Sequence, residues 1–325
     1  QRTKEIYFWI LVKQVIFFDF RFSTYLKNFI KYTSTKIVLT LIDNNINFYN
    51  LKNIINNVCF ISIQSGLRIP NTIWKSDFTD SNIEKSKNLK CDYFFVHNKY
   101  LIKKYKDTIN CKYYVLGNYK NNSFKIKKTK FTNSYLFIGM GVQNWNRKRI
   151  GISHKFLNLL ASYFQNSNTK LNILLKNYNK EGQKKEMEFY RKFFKSNCIF
   201  HKSSTPKKSY KILDEFENII FTNSTLGFEA ISRKKKVAVF SVNKDKIEKK
   251  LFGWPKKVQK NYNFFLANKL TYSEIKRVLE NINNCKQAKW EKKHYRKIND
   301  LMYFDQDNFL LRKVINETLN KFKEI

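Results

Sequence analysis

The residues best suited to chemistry lie in the run Phe221-Thr222-Asn223-Ser224-Thr225-Leu226-Gly227-Phe228-Glu229-Ala230. An apolar strand delivers small hydroxyl and amide side chains, a glycine follows, and a helix begins. A helix start presents unpaired N–H groups and the positive end of the backbone dipole, which together suit a phosphate. Ser224 and Thr225 can bond phosphate oxygens or cap the helix. Glu229 can accept from two vicinal ribose hydroxyls. The alternative is an ordinary capped helix with an acid near its N-terminus.

Four other places carry polar groups after an apolar run. Asp43-Asn44-Asn45 closes Ile37 to Ile42. It reads either as a turn or as ligand-facing residues outside the carboxyl end of a strand. Gln64-Ser65-Gly66-Leu67-Arg68 follows Val58 to Ile63. Arg68 there can hold a phosphate or carboxylate, or stand on the surface. Gly139-Met140-Gly141 precedes Arg147, Lys148 and Arg149. Two glycines permit close backbone approach to a ligand, but the third glycine of a dinucleotide fingerprint is missing. Phe252-Gly253-Trp254-Pro255 is a rigid aromatic turn that can wall a base or sugar, or plug a core. His97 and His201 each follow a strand, where a histidine serves as general base or helix cap. P-loop, H-E-x-x-H and G-x-S-x-G patterns are absent, which argues against P-loop kinases, zinc proteases and α/β-hydrolases.

The elements that must position these groups alternate. Ile37–Ile42, Val58–Ile63, Tyr93–Val96 and Tyr113–Leu116 read as buried parallel strands, with helical periodicity between them. The polar, Lys-rich stretch after Tyr119 reads as a linker. The pattern then restarts at Tyr135–Ile138 and continues through Leu171–Leu175, Cys198–Phe200, Asn218–Phe221 and Lys236–Phe240. Thr205-Pro206 opens a helix as N-cap and first-turn proline. From Ser273 the chain reads as helical. The expected fold is α/β, in two parallel-sheet halves with a C-terminal helical tail. The expected division is 1–120, a linker over 121–133, and 134–325.

Composition narrows the partners. The 325 residues carry 63 Lys and Arg against 25 Asp and Glu, a net charge of +38. That excess suits an anionic partner, either a phosphorylated substrate, a membrane surface or a nucleic acid. Only 10 of the 63 are Arg. Bidentate base readout relies on Arg, so diffuse attraction fits better than sequence-specific binding. The five cysteines are widely spaced without a C-x-x-C, which predicts neither a disulfide framework nor a zinc site and fits a reducing compartment. Ile6 to Phe20 is the most apolar stretch. It is too short to span a bilayer and reads as a buried element. The sequence opens on Gln1, as a fragment or a processed product would.

Thr40-Leu41-Ile42-Asp43-Asn44-Asn45 with Phe48, and Ile61-Ser62-Ile63-Gln64-Ser65-Gly66-Leu67-Arg68, form a motif pair. Ser224 to Ala230 with Arg233-Lys234-Lys235-Lys236-Val237 forms a second element, and Phe252 to Pro255 a third. Together these resemble bacterial surface-carbohydrate (O-antigen or capsule) biosynthesis proteins. Ser65 stands where that family more often has Asn, and Lys234 where Gly is usual. The resemblance implies a GT-B-like fold, two Rossmann-like domains facing a cleft. It implies a glycosyltransferase using a nucleotide-sugar donor and a lipid-linked or oligosaccharide acceptor, with no metal or other cofactor. Ser224, Thr225, Gly227 and Glu229 would hold the donor, with Gly139, Gly141, Arg147 and Arg149 beside it. Asp43 would be the base, and Asn44, Gln64 and Arg68 would orient the acceptor. A cytoplasmic enzyme, peripheral at an anionic inner-membrane surface, is expected. A nucleotide-sugar epimerase on the same fold and a basic nucleic-acid-binding protein are the alternatives.

Overall fold

The computed structural model describes residues 7–66, 88–140, 147–167, 169–222, 224–240, 263–267 and 269–324. They cluster into two units. One comprises Gln1–Ser65, Asn71–Leu116 and Asn308–Ile325, and the other Gly66–Pro70 and Gly117–Asp307.

The first unit is built on a parallel sheet in the order β1-β2-β3-β4, with β1 Ile37–Thr40, β2 Cys59–Ile63, β3 Leu89–Val96 and β4 Ile109–Val115. Neighbours in sequence are neighbours in the sheet. Phe60, Ile61, Phe94 and Phe95 are fully buried, as expected of strands covered on both faces. Helix α1 (Phe8–Ile16) packs on α2 (Phe22–Tyr32), and α2 on α3 (Ile46–Ile54). Helix α4 (Lys99–Tyr105) follows β3.

Two expectations fail here. The apolar stretch read as a buried element forms α1 and the turn after it. Of that helix only Ile10 and Gln14 are buried. Apolarity measures what burial would gain and not whether a covering surface exists. The last helix, Phe309–Lys321, clusters with the first unit and not with the second, where the tail was drawn. Its buried stripe is Leu311, Val314 and Thr318. The Thr318 hydroxyl donates to the Val314 carbonyl at 2.7 Å, and the Lys36 ammonium lies 5.5 Å from the centre of the Phe322 ring just beyond the helix.

The second unit carries six parallel strands in the order β10-β9-β8-β5-β6-β7. They are β5 Phe131–Ile138, β6 Leu171–Leu174, β7 Cys198–His201, β8 Phe216–Phe221, β9 Lys236–Phe240 and β10 Leu266–Ala267. Counted from β5 as the first, this is the 3-2-1-4-5-6 arrangement of the dinucleotide-binding fold. The connecting helices are α6 (Arg147–Asn166), α7 (Lys180–Phe194), α8 (Pro206–Glu215) and α9 (Thr225–Ser232). On α6, Phe156, Leu160 and Phe164 recur every four residues and are fully buried. Phe156 packs against Phe137 of β5 and Phe240 of β9.

The stretch expected to be a linker is anchored. A short helix α5 (Tyr119–Asn122) opens it and β5 begins at its end. Asn121 and Asn122 are fully buried. Asn122 Oδ1 accepts from the Asp305 N–H at 3.1 Å, and the Lys127 N–H donates to Asp214 at 2.9 Å. Among the described residues no helix is long and apolar enough to cross a membrane.

Candidate functional site

In an open parallel sheet the strand order reverses at one point, and ligands bind outside the carboxyl ends of the two strands there. In the second unit those strands are β5 and β8. Gly139-Met140 follows the end of β5 at Ile138, and Thr222 follows the end of β8 at Phe221, with Ser224 at the start of α9. Two of the places chosen from sequence thus flank one switch point.

At β8 the sequence dictates a tight turn into α9. A Cβ on Gly227 would lie 2.2 Å from the Phe221 ring, so only glycine lets the helix start against the strand it follows. Gly227 is therefore explained by packing against its own strand. Thr205 and Asn179 cap α8 and α7 by accepting from first-turn N–H groups, whereas the Ser224 side chain, at the N-cap of α9, makes no such bond. Ser224, Thr225 and Leu226 are half-buried.

Glu229, one turn further, is buried and does not face open solvent. The Tyr210 hydroxyl of α8 donates to its Oε2 at 2.8 Å. Burial pushes the Glu229 carboxyl up to about 7, against the opposing pull of the Tyr210 hydrogen bond and the Arg233 and Lys120 charges. Arg233 lies over the Tyr210 ring at 5.3 Å and forms a fork with Asp214, Nε to Oδ1 at 2.7 Å and Nη2 to Oδ2 at 2.5 Å. Its Nη1 donates to Asn121 Oδ1 at 3.0 Å and to the Phe124 carbonyl at 3.1 Å. Both members of this ion pair are buried. The next two lysines of the motif are buried as well. Lys235 donates to the Asp214 carbonyl and Thr129, and Lys236 to the Cys285 carbonyl. Burial brings the Lys235 ammonium down to about 8. Lys234 takes a left-handed backbone, φ 62°, the region that favours glycine.

At β5, Gly139 has no room for a side chain. A Cβ would lie 2.5 Å from Glu186 Oε1 and 2.8 Å from the Leu174 carbonyl. Glu186 escaped the sequence reading. It is buried on α7 and accepts from the Lys176 and Asn177 N–H groups and from the Asn177 side chain, at 3.0 to 3.1 Å, fixing the loop after β6. Tyr190, one turn on, brings its hydroxyl to the same end of the sheet, where it accepts from the Met140 N–H at 2.8 Å. The available signal was a carboxylate on the buried stripe of α7, in line with Tyr190 and Phe194. Arg147 and Arg149 fall in the first turn of α6, and their side chains lie outside the described ones. Arg68, Gly141 and the stretch 252–255 lie outside the described residues.

In the first unit the chosen residues meet at the carboxyl ends of β1, β2 and β3. Asp43 is buried, and its Oδ1 accepts from the Ser65 N–H at 3.2 Å and the Ser65 hydroxyl at 3.1 Å. Its backbone carbonyl accepts from the Tyr49 hydroxyl at 2.7 Å. Asn44 is half-buried beside it, and Asn45 caps α3 through the Asn47 N–H. Gln64 is buried and takes the His97 N–H on its Oε1 at 2.9 Å, while His97 Nε2 sits 3.2 Å from the Gln64 carbonyl. Nε2 must carry the proton in that contact, since a carbonyl only accepts. His97 thus braces Gln64, and the cap of α4 is its neighbour Asn98, which accepts from Leu101 at 3.1 Å. Among the described residues no group of three or more His, Cys, Asp or Glu side chains is placed to hold a metal ion.

A family described as "putative O-antigen biosynthesis protein" matches residues 59–319. The chain belongs to that family. Comparison with curated protein sequences gives no match. Among solved structures the chain is similar to a "putative UDP-N-acetylglucosamine 2-epimerase" from Listeria monocytogenes, with a TM-score of 0.56 and 13% identity over 93% of this chain and 79% of that one. It is similar to sucrose-phosphate synthase from Thermosynechococcus elongatus, with a TM-score of 0.53 and 10% identity over 92% and 77%. It is also similar to the pneumococcal O-GlcNAc transferase GtfA, solved with UDP and GlcNAc, with a TM-score of 0.52 and 10% identity. That match covers 91% of this chain and only 60% of the transferase. At these identities the likeness is one of fold. Two parallel-sheet α/β domains with a helical C-terminal region are the GT-B architecture shared by glycosyltransferases and these epimerases.

Proposed function

We propose that this member of the O-antigen family is a glycosyltransferase of surface-polysaccharide assembly, moving a sugar from a nucleotide-sugar donor to a lipid-linked or oligosaccharide acceptor. The observation that carries the reading is the switch point of the second sheet. There the carboxyl ends of β5 and β8 bring Gly139, the start of α9 and the buried Glu229 to one end of the sheet.

In this reading the α9 N–H groups, with Ser224 and Thr225, take the diphosphate, and Glu229 takes the ribose hydroxyls. Arg147 and Arg149, at the start of α6, neutralise the leaving diphosphate. Positive groups of this kind do the work that a metal ion does elsewhere, so the proposed reaction uses none. The acceptor lies with the first unit, near Asp43, Asn44 and Gln64. The acceptor oxygen bonds to the anomeric carbon as the bond from that carbon to the diphosphate oxygen breaks. The electron pair leaves on the diphosphate, and the acceptor proton passes to Asp43. Ser65 orients that carboxylate as a third group orients a catalytic base. The enzyme works on the cytoplasmic side of the inner membrane, drawn to anionic lipid by its charge of +38.

Thermal shift against nucleoside mono- and diphosphates, with and without attached sugars, tests the donor site. A ligand at a hundred times its Kd adds about 2.7 kcal/mol. Stabilisation by one base series, lost in Glu229→Ala, is the expected result. A flat panel removes the assignment. A nucleotide-sugar epimerase is the second reading, favoured by the fold shared with the Listeria protein. It predicts a soluble epimerised nucleotide sugar formed without any acceptor.

A further inference from the structure

The turn after α1 holds three phenylalanines in solvent. Phe17, Phe18 and Phe20 are 75%, 86% and 68% exposed, Phe22 just after them is 65% exposed, and Phe8 and Trp9 at the start of α1 are each 69% exposed. The turn is a built feature. Gln14, one of the two buried residues of α1, donates its side-chain amide to the Asp19 and Arg21 carbonyls at 2.9 and 3.1 Å. Asp19 in turn accepts from the Arg21 N–H, the Arg21 guanidinium and the Thr24 hydroxyl, all within 3.1 Å. Phe18 itself sits at φ 48°, a backbone region costly for an aromatic residue. Hydrogen bonds and backbone strain are thus spent on keeping aromatic side chains where the hydrophobic effect opposes them.

The charge along this N-terminal segment has one sign. From Tyr7 to Lys36 the basic residues are Lys13, Arg21, Lys27, Lys31 and Lys36, and the single acid, Asp19, is already paired with Arg21. A second copy of a chain carrying +38 would be repelled from this face. A bilayer with anionic headgroups satisfies both features. Its headgroups attract the lysines, and its interfacial region takes Phe and Trp side chains.

We propose that α1 and the Phe17–Phe20 turn insert into the interface of an anionic lipid bilayer as an aromatic wedge. This is a specific contact, beyond the diffuse attraction of the net charge, and it does not depend on the transfer chemistry.

Flotation with phosphatidylcholine vesicles, with and without phosphatidylglycerol, tests it on the whole chain. The wild type is expected to float with the mixed vesicles and to keep part of that binding at high salt, because inserted rings are not screened. The triple variant Phe17→Ser, Phe18→Ser, Phe20→Ser is expected to bind at least about tenfold more weakly, with unchanged thermal unfolding, since these side chains support no core. Trp at the same three positions should restore binding. Equal flotation of wild type and the serine variant would overturn the proposal, as would no flotation of the wild type. A wild-type dimer that the serine variant converts to monomer, with no difference on vesicles, would overturn it in favour of self-association. Nucleotide binding is read separately by thermal shift, so failure here leaves the donor site standing.

Discussion

Ser65 donates both its backbone N–H and its hydroxyl to one oxygen of Asp43, at 3.2 and 3.1 Å. The pair ties the loop after β2 to the loop after β1. Ser65, where the resembling family more often has Asn, makes this contact through both its backbone and its side chain. The contact separates two roles for Asp43. If the carboxylate only ties the loops, Asn at position 43 still accepts from Ser65 and little changes. If it takes a proton, Asn fails however well it is placed.

Asp43→Asn should therefore lower kcat at least about a hundredfold while unfolding stays near that of the wild type. Ser65→Ala keeps the backbone bond and should give a smaller loss, with KM for the donor unchanged. Single-turnover assays on purified variants decide this, and full activity in Asp43→Asn would end the base assignment.

Glu229 makes stability depend on pH. Its carboxyl is raised from 4.5 to about 7 in the folded chain. Folding therefore favours the neutral form, and the resulting stabilisation is complete below about pH 4.5 and lost as pH rises through 7. Between pH 5 and 8 the wild type should lose about 2 to 3 kcal/mol relative to Glu229→Gln, measured by urea unfolding of both. Nucleotide affinity should move the other way. An ionised carboxylate accepts better from ribose hydroxyls, so binding weakens as pH falls through 7, and the glutamine variant flattens that profile. Parallel pH profiles for the two proteins would contradict both the shift and the ribose contact.

Arg233 joins α9 to Asp214 at the end of α8 and to the segment that opens the second unit, through Asn121 and Phe124. Removing it leaves Asp214 buried without its countercharge. Arg233→Ala should cost about 3–5 kcal/mol. Arg233→Lys should recover little, since an ammonium cannot reproduce the fork. A loss under about 1 kcal/mol, typical of an exposed pair, would show that the interior assignment is mistaken.

Much of the fold was legible because its signals are local. Among the described residues, β-branched and aromatic runs marked nine of the ten strands, and the two-residue β10 (Leu266–Ala267) was too short to read. Thr205-Pro206 marked the start of α8, where Thr205 accepts from the Lys208 N–H. The switch point could be approached only through the polar residues after each strand, because strand order is set by tertiary packing. Arg233 and Asn121 are 112 positions apart, and nothing in either neighbourhood names the other. The packing of Gly227 on the Phe221 ring becomes visible only once the chain turns. Segment 7–20 was misjudged for a related reason, since an apolar run does not declare what covers it.

Lys234 offers a test of that local reading. Its φ of 62° is the conformation for which glycine is the default, and the position lies just beyond α9. A left-handed non-glycine residue costs roughly 1–2 kcal/mol. Glycine removes that cost but frees the unfolded chain by about 0.4–1 kcal/mol. The backbone contacts remain, with the Lys234 N–H on the Ile231 carbonyl at 2.8 Å and Gln287 donating to the Lys234 carbonyl at 2.9 Å. The exposed ion pair with Glu291, at 3.5 Å, contributes little. Lys234→Gly should thus raise stability by up to about 1 kcal/mol, a Tm gain of a few degrees. Lys234→Ala keeps the backbone cost and loses the ion pair, so it should not gain. A rise in both variants would point to relief of lysine repulsion, and a rise in glycine alone to the backbone.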